Sequence, residues 1–189
     1  DYWPDAAYVA ERLLTVSELK GYVDATESVD AAPDAPTDGW AVPSAWTRHA
    51  HNDQALRHLL GRRLMREGRR VEALPYLPAE LRPKGVELIW QLKVADLALA
   101  PRPARAQAWL EAGRITRHQG MELMGTELEP DLFIYNGNNW GSGRALQRMG
   151  DQPGPLPPSV EERRRCQATD LGISERYHYR YVGADLVWE

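Results

Sequence analysis

Apolar residues recur at helical spacing over much of the chain. In 47–68, Leu56, Leu60 and Leu64 fall every four residues, a stripe that turns toward a core. Arg62, Arg66, Arg69 and Arg70 fall together on a different face of the same stretch and read as a candidate binding surface. A second strong helix is predicted over 84–100, with Leu88, Ile89, Leu92, Ala95, Leu97 and Leu99, and a third over about 103–119. Pro101 and Pro103 separate these two, and so short a connection makes neighbouring helices antiparallel. Residues 5–24 read as two short helices, the second capped by Thr15 or Ser17. Ser159 opens another helix to about Thr169, and Ser174 a last one containing Tyr177, Tyr181, Val182 and Leu186. No segment alternates with period two, so little or no sheet is expected. The fold class is all-α, as an irregular α-solenoid of antiparallel helix pairs with long Pro/Gly-rich connections.

Two stretches interrupt the helical pattern. Residues 25–46 hold Pro33, Pro36, Pro43 and Gly39 among several acids; proline removes a backbone donor and blocks helix. Residues 125–158 carry Gly-Thr-Glu-Leu-Glu-Pro-Asp, then Tyr-Asn-Gly-Asn-Asn-Trp-Gly-Ser-Gly at 135–143, where turn formers dominate. The expected organisation is a helical segment at 1–24, an acidic linker at 25–46, a helical core at 47–124, a loop at 125–158 and a helix pair at 159–189. The chain begins at Asp1 without Met and ends at Val187-Trp188-Glu189 in mid-pattern, which leaves room for a leader peptide and further repeats beyond these ends.

One stretch has the requirements of a stacking helical hairpin. Gly61 beside Leu60 lets a second helix approach, Gly68 stands where the first helix must end, and Ala73 falls where only a small side chain fits. With Leu64 and Leu77, this pattern at 54–81 resembles a tetratricopeptide (TPR) or Sel1-type repeat, although Arg57 stands where a large aromatic is usual. Partial copies occur at 105–120, on Trp109, Ala112, Gly113, Thr116 and Gly120, and at 176–189, on Tyr179, Val182, Gly183 and Leu186. Gly61, Gly113 and Gly183 lie 52 and 70 residues apart, against about 34 in a regular array, so extra helices or insertions fill the intervals. The resemblance implies a right-handed superhelix of helix pairs whose concave surface binds peptides or proteins.

Charge adds a second layer. Residues 1–54 hold ten acids and three bases, residues 55–118 six acids and thirteen bases, and residues 119–189 eleven acids and seven bases. The basic middle is expected to attract the chain's own acidic flanks ahead of nucleic acid, although a basic surface for an anionic polymer is an alternative. Cys166 is the single cysteine, which leaves no internal disulfide and no cysteine-based metal site. That suits a reducing cytoplasm, and a periplasmic or secreted protein whose leader was removed before Asp1 would look the same. No run approaches the ~18 apolar residues of a membrane span.

Candidate chemistry is sparse. His49, His51, Asp53 and His58 offer metal-ligand types, but a helical path sends His49 and His51 to different faces, and polar residues at a helix start are the simpler reading. Glu122, Glu127, Glu129 and Asp131 gather beside the glycine-rich loop. Paired carboxylates cleave glycosides, so the alternative function is the helical part of a carbohydrate-active enzyme with its site near 122–131, set against a solvated loop or an ordered turn. Cys166 follows Arg163, Arg164 and Arg165, which favours a thiolate, with no triad partner assignable. No phosphate loop or dinucleotide fingerprint is present, and no cofactor or metal is assigned. The loop residues Tyr135, Asn136 and Trp140 join the arginines as candidate binding residues, with Trp140 either docked on the helices or presented to a partner. The expected function is a helical-repeat scaffold for protein–protein interaction within a larger protein or assembly.

Overall fold

Thr15 and Glu18 lock the start of a helix reciprocally. Glu18 N–H donates to Thr15 Oγ1 (3.2 Å) and Thr15 N–H donates to Glu18 Oε2 (2.8 Å), the capping box that Thr-x-x-Glu encodes. Thr15, rather than Ser17, is therefore the cap. This computed structural model describes residues 3–26, 45–128, 131–135, 160–168 and 187–188, with backbone alone at 45–52, 135, 162 and 166–168. The described residues form α1 (Trp3–Tyr8), α2 (Val16–Thr26), α3 (Ala45–Arg66), α4 (Arg70–Ala73), α5 (Arg82–Asp96), α6 (Arg102–Met124) and α7 (Val160–Ala168). A π turn, Val9–Leu13, extends α1 and closes with Leu14 N–H on Val9 O (3.0 Å). Short 3-10 turns lie at Leu74–Tyr76 and Phe133–Tyr135. No strand occurs among the described residues, so the protein is all-α there.

The helix α3 is the centre of the packing, in contact with α2, α4 and α6. Its leucine stripe places Leu60 and Leu64 out of solvent altogether, with Leu56 at the rim. Leu59 joins them, and Val16, Leu19 and Val23 of α2, Leu88 and Leu92 of α5, and Ala112, Ile115 and Leu123 of α6 complete one core. Each buried leucine is worth about 1.5–3 kcal/mol in transfer free energy. The N-terminal helices thus share a core with the central ones.

After α3 the chain reverses at Gly68, whose φ of +76° is left-handed backbone that favours glycine. The returning arm presses on Gly61. A Cβ there would stand 3.1 Å from Leu77 Cδ2 and 3.2 Å from the Tyr76 carbonyl carbon, so no larger residue fits without moving backbone. Ala73 is fully buried. The arm is four residues of α4 and then the Leu74–Tyr76 turn, because Pro75 withholds an N–H from a continuing helix. Ala73→Leu overpacks this site and is expected to lower the unfolding free energy by about 1–3 kcal/mol in urea titration; a variant as stable as the parent would show that the arm has room to move.

Proline opens both α5 and α6, at Pro83 and Pro103 in their first turns, where a missing N–H costs nothing. The two helices run antiparallel: Arg105 Nε donates to Ala95 O (2.8 Å) near one end, and Gly85 approaches Leu123 near the other. Gly113 is buried within α6 and Trp109 packs on the edge of the core. Gly183 lies outside the described residues. No helix among the described residues is long and apolar enough to cross a membrane.

Candidate functional site

Three arginines of α3 point inward and draw distant parts of the chain onto that helix. Arg62 is 1% exposed and Glu127 2%. The Arg62 guanidinium forms an ion pair with Glu127 through Nη2 and donates to Gly125 O through Nη1 (3.1 Å). The Phe133 ring covers the guanidinium, with 3.7 Å from its carbon to the ring centroid, a favourable cation–π geometry. Trp3 Nε1 donates to the other Glu127 oxygen (2.8 Å). One turn along α3, Arg66 donates to Glu11 Oε2 (2.6 Å), Gly125 O (2.8 Å) and Met124 O (3.0 Å). Arg63 donates to the carbonyls of Ala10 and Leu14 at the end of the π turn. Glu11 is also buried and accepts from Glu127 N–H (2.9 Å). Buried charges are retained only when paired and hydrogen-bonded, and here the pairing joins the N-terminal helices, α3 and the segment after α6.

Side-chain hydrogen bonds tie the described residues of that segment together. Asp131 Oδ2 accepts from Thr126 N–H (2.7 Å), and Thr126 Oγ1 donates to Leu128 O (2.8 Å). Leu132 is held at φ +52° and is buried. Beside it lies a cavity of about 270 Å3 lined by Gln54, Ala55, His58, Arg62, Pro78, Glu127 and Phe133. His58 Nε2 is 2.7 Å from Glu122 O; a carbonyl only accepts, so Nε2 carries the proton. Burial, then the neighbouring Arg62 charge, pushes the His58 pKa down to about 4, so this imidazole is neutral at pH 7. Glu127 is the one acid among the described residues that line the cavity, and both its oxygens already accept hydrogen bonds. Glycoside cleavage needs two carboxylates across the bond, and the described lining assembles no such pair. Glu122 sits on α6, Asp131 is spent on its turn, and Glu129 lies outside the described residues.

The other feature of note is on the outside. The helix α5 carries two apolar stripes. Leu88, Leu92 and Ala95 face the core, and Val86 and Trp90 point away, Trp90 with 62% of its surface exposed. Leu97, at the end of the helix, continues the outer stripe, and Leu99 in the connection to α6 is 93% exposed.

The sequence-predicted residues scatter. The four arginines do not form one open surface: Arg62 and Arg66 turn inward as described, Arg69 pairs with Glu72 (2.7 Å), and Arg70 is exposed. Helical phase put them side by side, but Gly68 ends α3 before Arg69. Asp53 is exposed two turns inside α3 rather than at its start, since the helix begins at Ala45. The side chains of His49, His51, Tyr135 and Cys166, and the whole of Asn136 and Trp140, lie outside the described residues. Among the described residues no group of three metal-ligating side chains comes together. Sequence reasoning passed over Trp3, Glu11 and Phe133, whose partners are remote in the chain. It also passed over the outer stripe, whose signal was present: Val86, Trp90 and Leu97 are out of phase with Leu88, Leu92 and Ala95. No protein-family model matches the chain, and no curated protein or solved structure matches it either.

Proposed function

We propose that the chain is a scaffold of stacked helix pairs that binds a protein partner, and that the outer stripe of α5 is where the partner docks. The observation that carries this reading is the exposure of Val86, Trp90 and Leu97, which share one helical face of α5, followed by the exposed Leu99 in the connection to α6. Large exposed apolar groups in a contiguous patch mark interaction surfaces, and tryptophan is the residue type most often found at the energetic centre of an interface. Support for a repeat-like architecture comes from the tight approach at Gly61, the reversal at Gly68 and the buried Ala73.

The test is a tagged chain and its Trp90→Glu/Leu99→Glu variant, compared as bait in a cell extract. Exposed substitutions of this kind change stability by about 0.5 kcal/mol or less, so both should melt together. The expected result is at least a tenfold loss of the captured proteins in the variant. Retention of the same proteins, or a melting point several degrees lower in the variant, would refute the assignment.

A further inference from the structure

We propose, resting on that docking reading, that the partner presented to α5 is an acidic protein segment that lays leucine-like side chains along the stripe as a helix. Val86, Trp90 and Leu97 stand at i, i+4 and i+11, a line about 16 Å long at 1.5 Å per residue. That is the length of three turns of a partner helix and suits an i, i+4, i+7, i+11 set of apolar anchors.

The charge beside the line is positive. Lys93 lies between Trp90 and Leu97 on the same face and is exposed, and Arg102 is exposed where α6 begins next to Leu99. Neither has an ion pair or hydrogen bond among the described residues. At the far end, Arg82 donates to the carbonyls of Leu77 and Pro75, and near Leu97 Arg105 donates to the carbonyl of Ala95. Those contacts leave both charges uncancelled. Among the acids nearby, Glu87 is taken by Lys84 (2.6 Å), which leaves Asp96, and Glu80 just before Arg82, against four cations. A partner with acids flanking its apolar anchors therefore meets attraction along the whole line, and a basic one repulsion. Single-stranded nucleic acid would use a series of aromatic faces for its bases; the stripe offers one ring, and its remaining members are aliphatic.

The probes are two labelled helical peptides of about 20 residues, long enough to hold helix in water. Both have leucines at i, i+4, i+7 and i+11; one has glutamates at the flanking positions, its twin lysines. Binding to the intact chain is read by fluorescence anisotropy. The glutamate peptide is expected to bind at least tenfold more tightly than the lysine twin. The preference should shrink between about 50 and 300 mM salt as exposed charges are screened. Lys93→Glu/Arg102→Glu should invert it, and Trp90→Glu should abolish both affinities with melting unchanged. Equal binding of the twins, both lost in Trp90→Glu, would overturn the acidic partner and leave the docking reading standing. No binding of either peptide would overturn both. Displacement of the glutamate peptide by an oligothymidylate, or a dimer in sedimentation that Trp90→Glu dissolves, would also overturn the proposal, by giving the stripe to nucleic acid or to a second copy of the chain.

Discussion

Glu127→Ala is expected to lower the unfolding free energy by about 3–5 kcal/mol, the usual cost of leaving a buried charge without its partner. Arg62 is 1% exposed, and its Nε already lacks an acceptor among the described residues. Without Glu127 the guanidinium would keep, among the described residues, the Gly125 carbonyl, the face of Phe133 and the more distant charge of Glu11. Trp3 would lose the acceptor of its indole as well. The companion variant, Arg62→Met/Glu127→Leu, removes both charges and restores apolar volume, and should recover most of the loss, because a buried pair and a well-packed apolar replacement are often similar in stability. Denaturant titration of the three proteins reads this directly. A loss under about 1 kcal/mol in Glu127→Ala would mean that water reaches the guanidinium, contrary to the packing described.

Acid is expected to weaken the fold through His58. Its folded pKa is held at about 4, against an ordinary value of 6.5. As pH falls below 6.5 the unfolded chain takes up a proton that the folded chain refuses, so stability declines until the folded imidazole also protonates near 4. At 1.36 kcal/mol per pH unit the full decline is about 3 kcal/mol. His58→Gln keeps an N–H donor for the Glu122 carbonyl and removes the titration. The stability difference between parent and variant should therefore shrink steadily from pH 7 to pH 4.5, with the remaining histidines cancelling in the comparison. A difference that stays constant with pH would mean that His58 titrates normally. The carboxylates of Glu18 and Glu161, held at about 2 mainly by hydrogen bonds from Arg165 and from Arg164 respectively, lose their contribution only below about 4.5, outside this window.

Helix positions among the described residues and the leucine stripe of α3 were legible in the sequence because they are local properties, set by spacing and caps; the expected helix from Ser174 falls outside the described residues. Leu60, Leu64, Ala73 and the reversal at Gly68 stand where the pattern put them. What spacing could not reveal was the destination of Arg62 and Arg66. An arginine between leucines has the same helical phase whether it meets water or a carboxylate, and the deciding partners, Glu127 and Glu11, lie 65 and 55 residues away. Glu127 likewise reads as one acid among several in a turn-forming stretch, and only the indole of Trp3 and the guanidinium of Arg62 make it interior. The outer stripe of α5 was present in the pattern but shared its helix with an inner one, and period alone does not say which of two stripes is covered.

The arginines of α3 also bear on how the chain comes together. Their acceptors belong to segments that emerge far apart during synthesis: the π turn and Glu11 come before α3, and Gly125 and Glu127 follow more than fifty residues later. Until the later segment arrives, Arg62 lacks its ion-pair partner Glu127 and has only the more distant charge of Glu11. Closing so long a loop is entropically costly before any contact rewards it. The contacts of Arg62 and Arg66 with Gly125 and of Arg62 with Glu127 therefore close only once that segment has been made, whereas the packing of α3 on α2, α4 and α6 draws on residues that precede it.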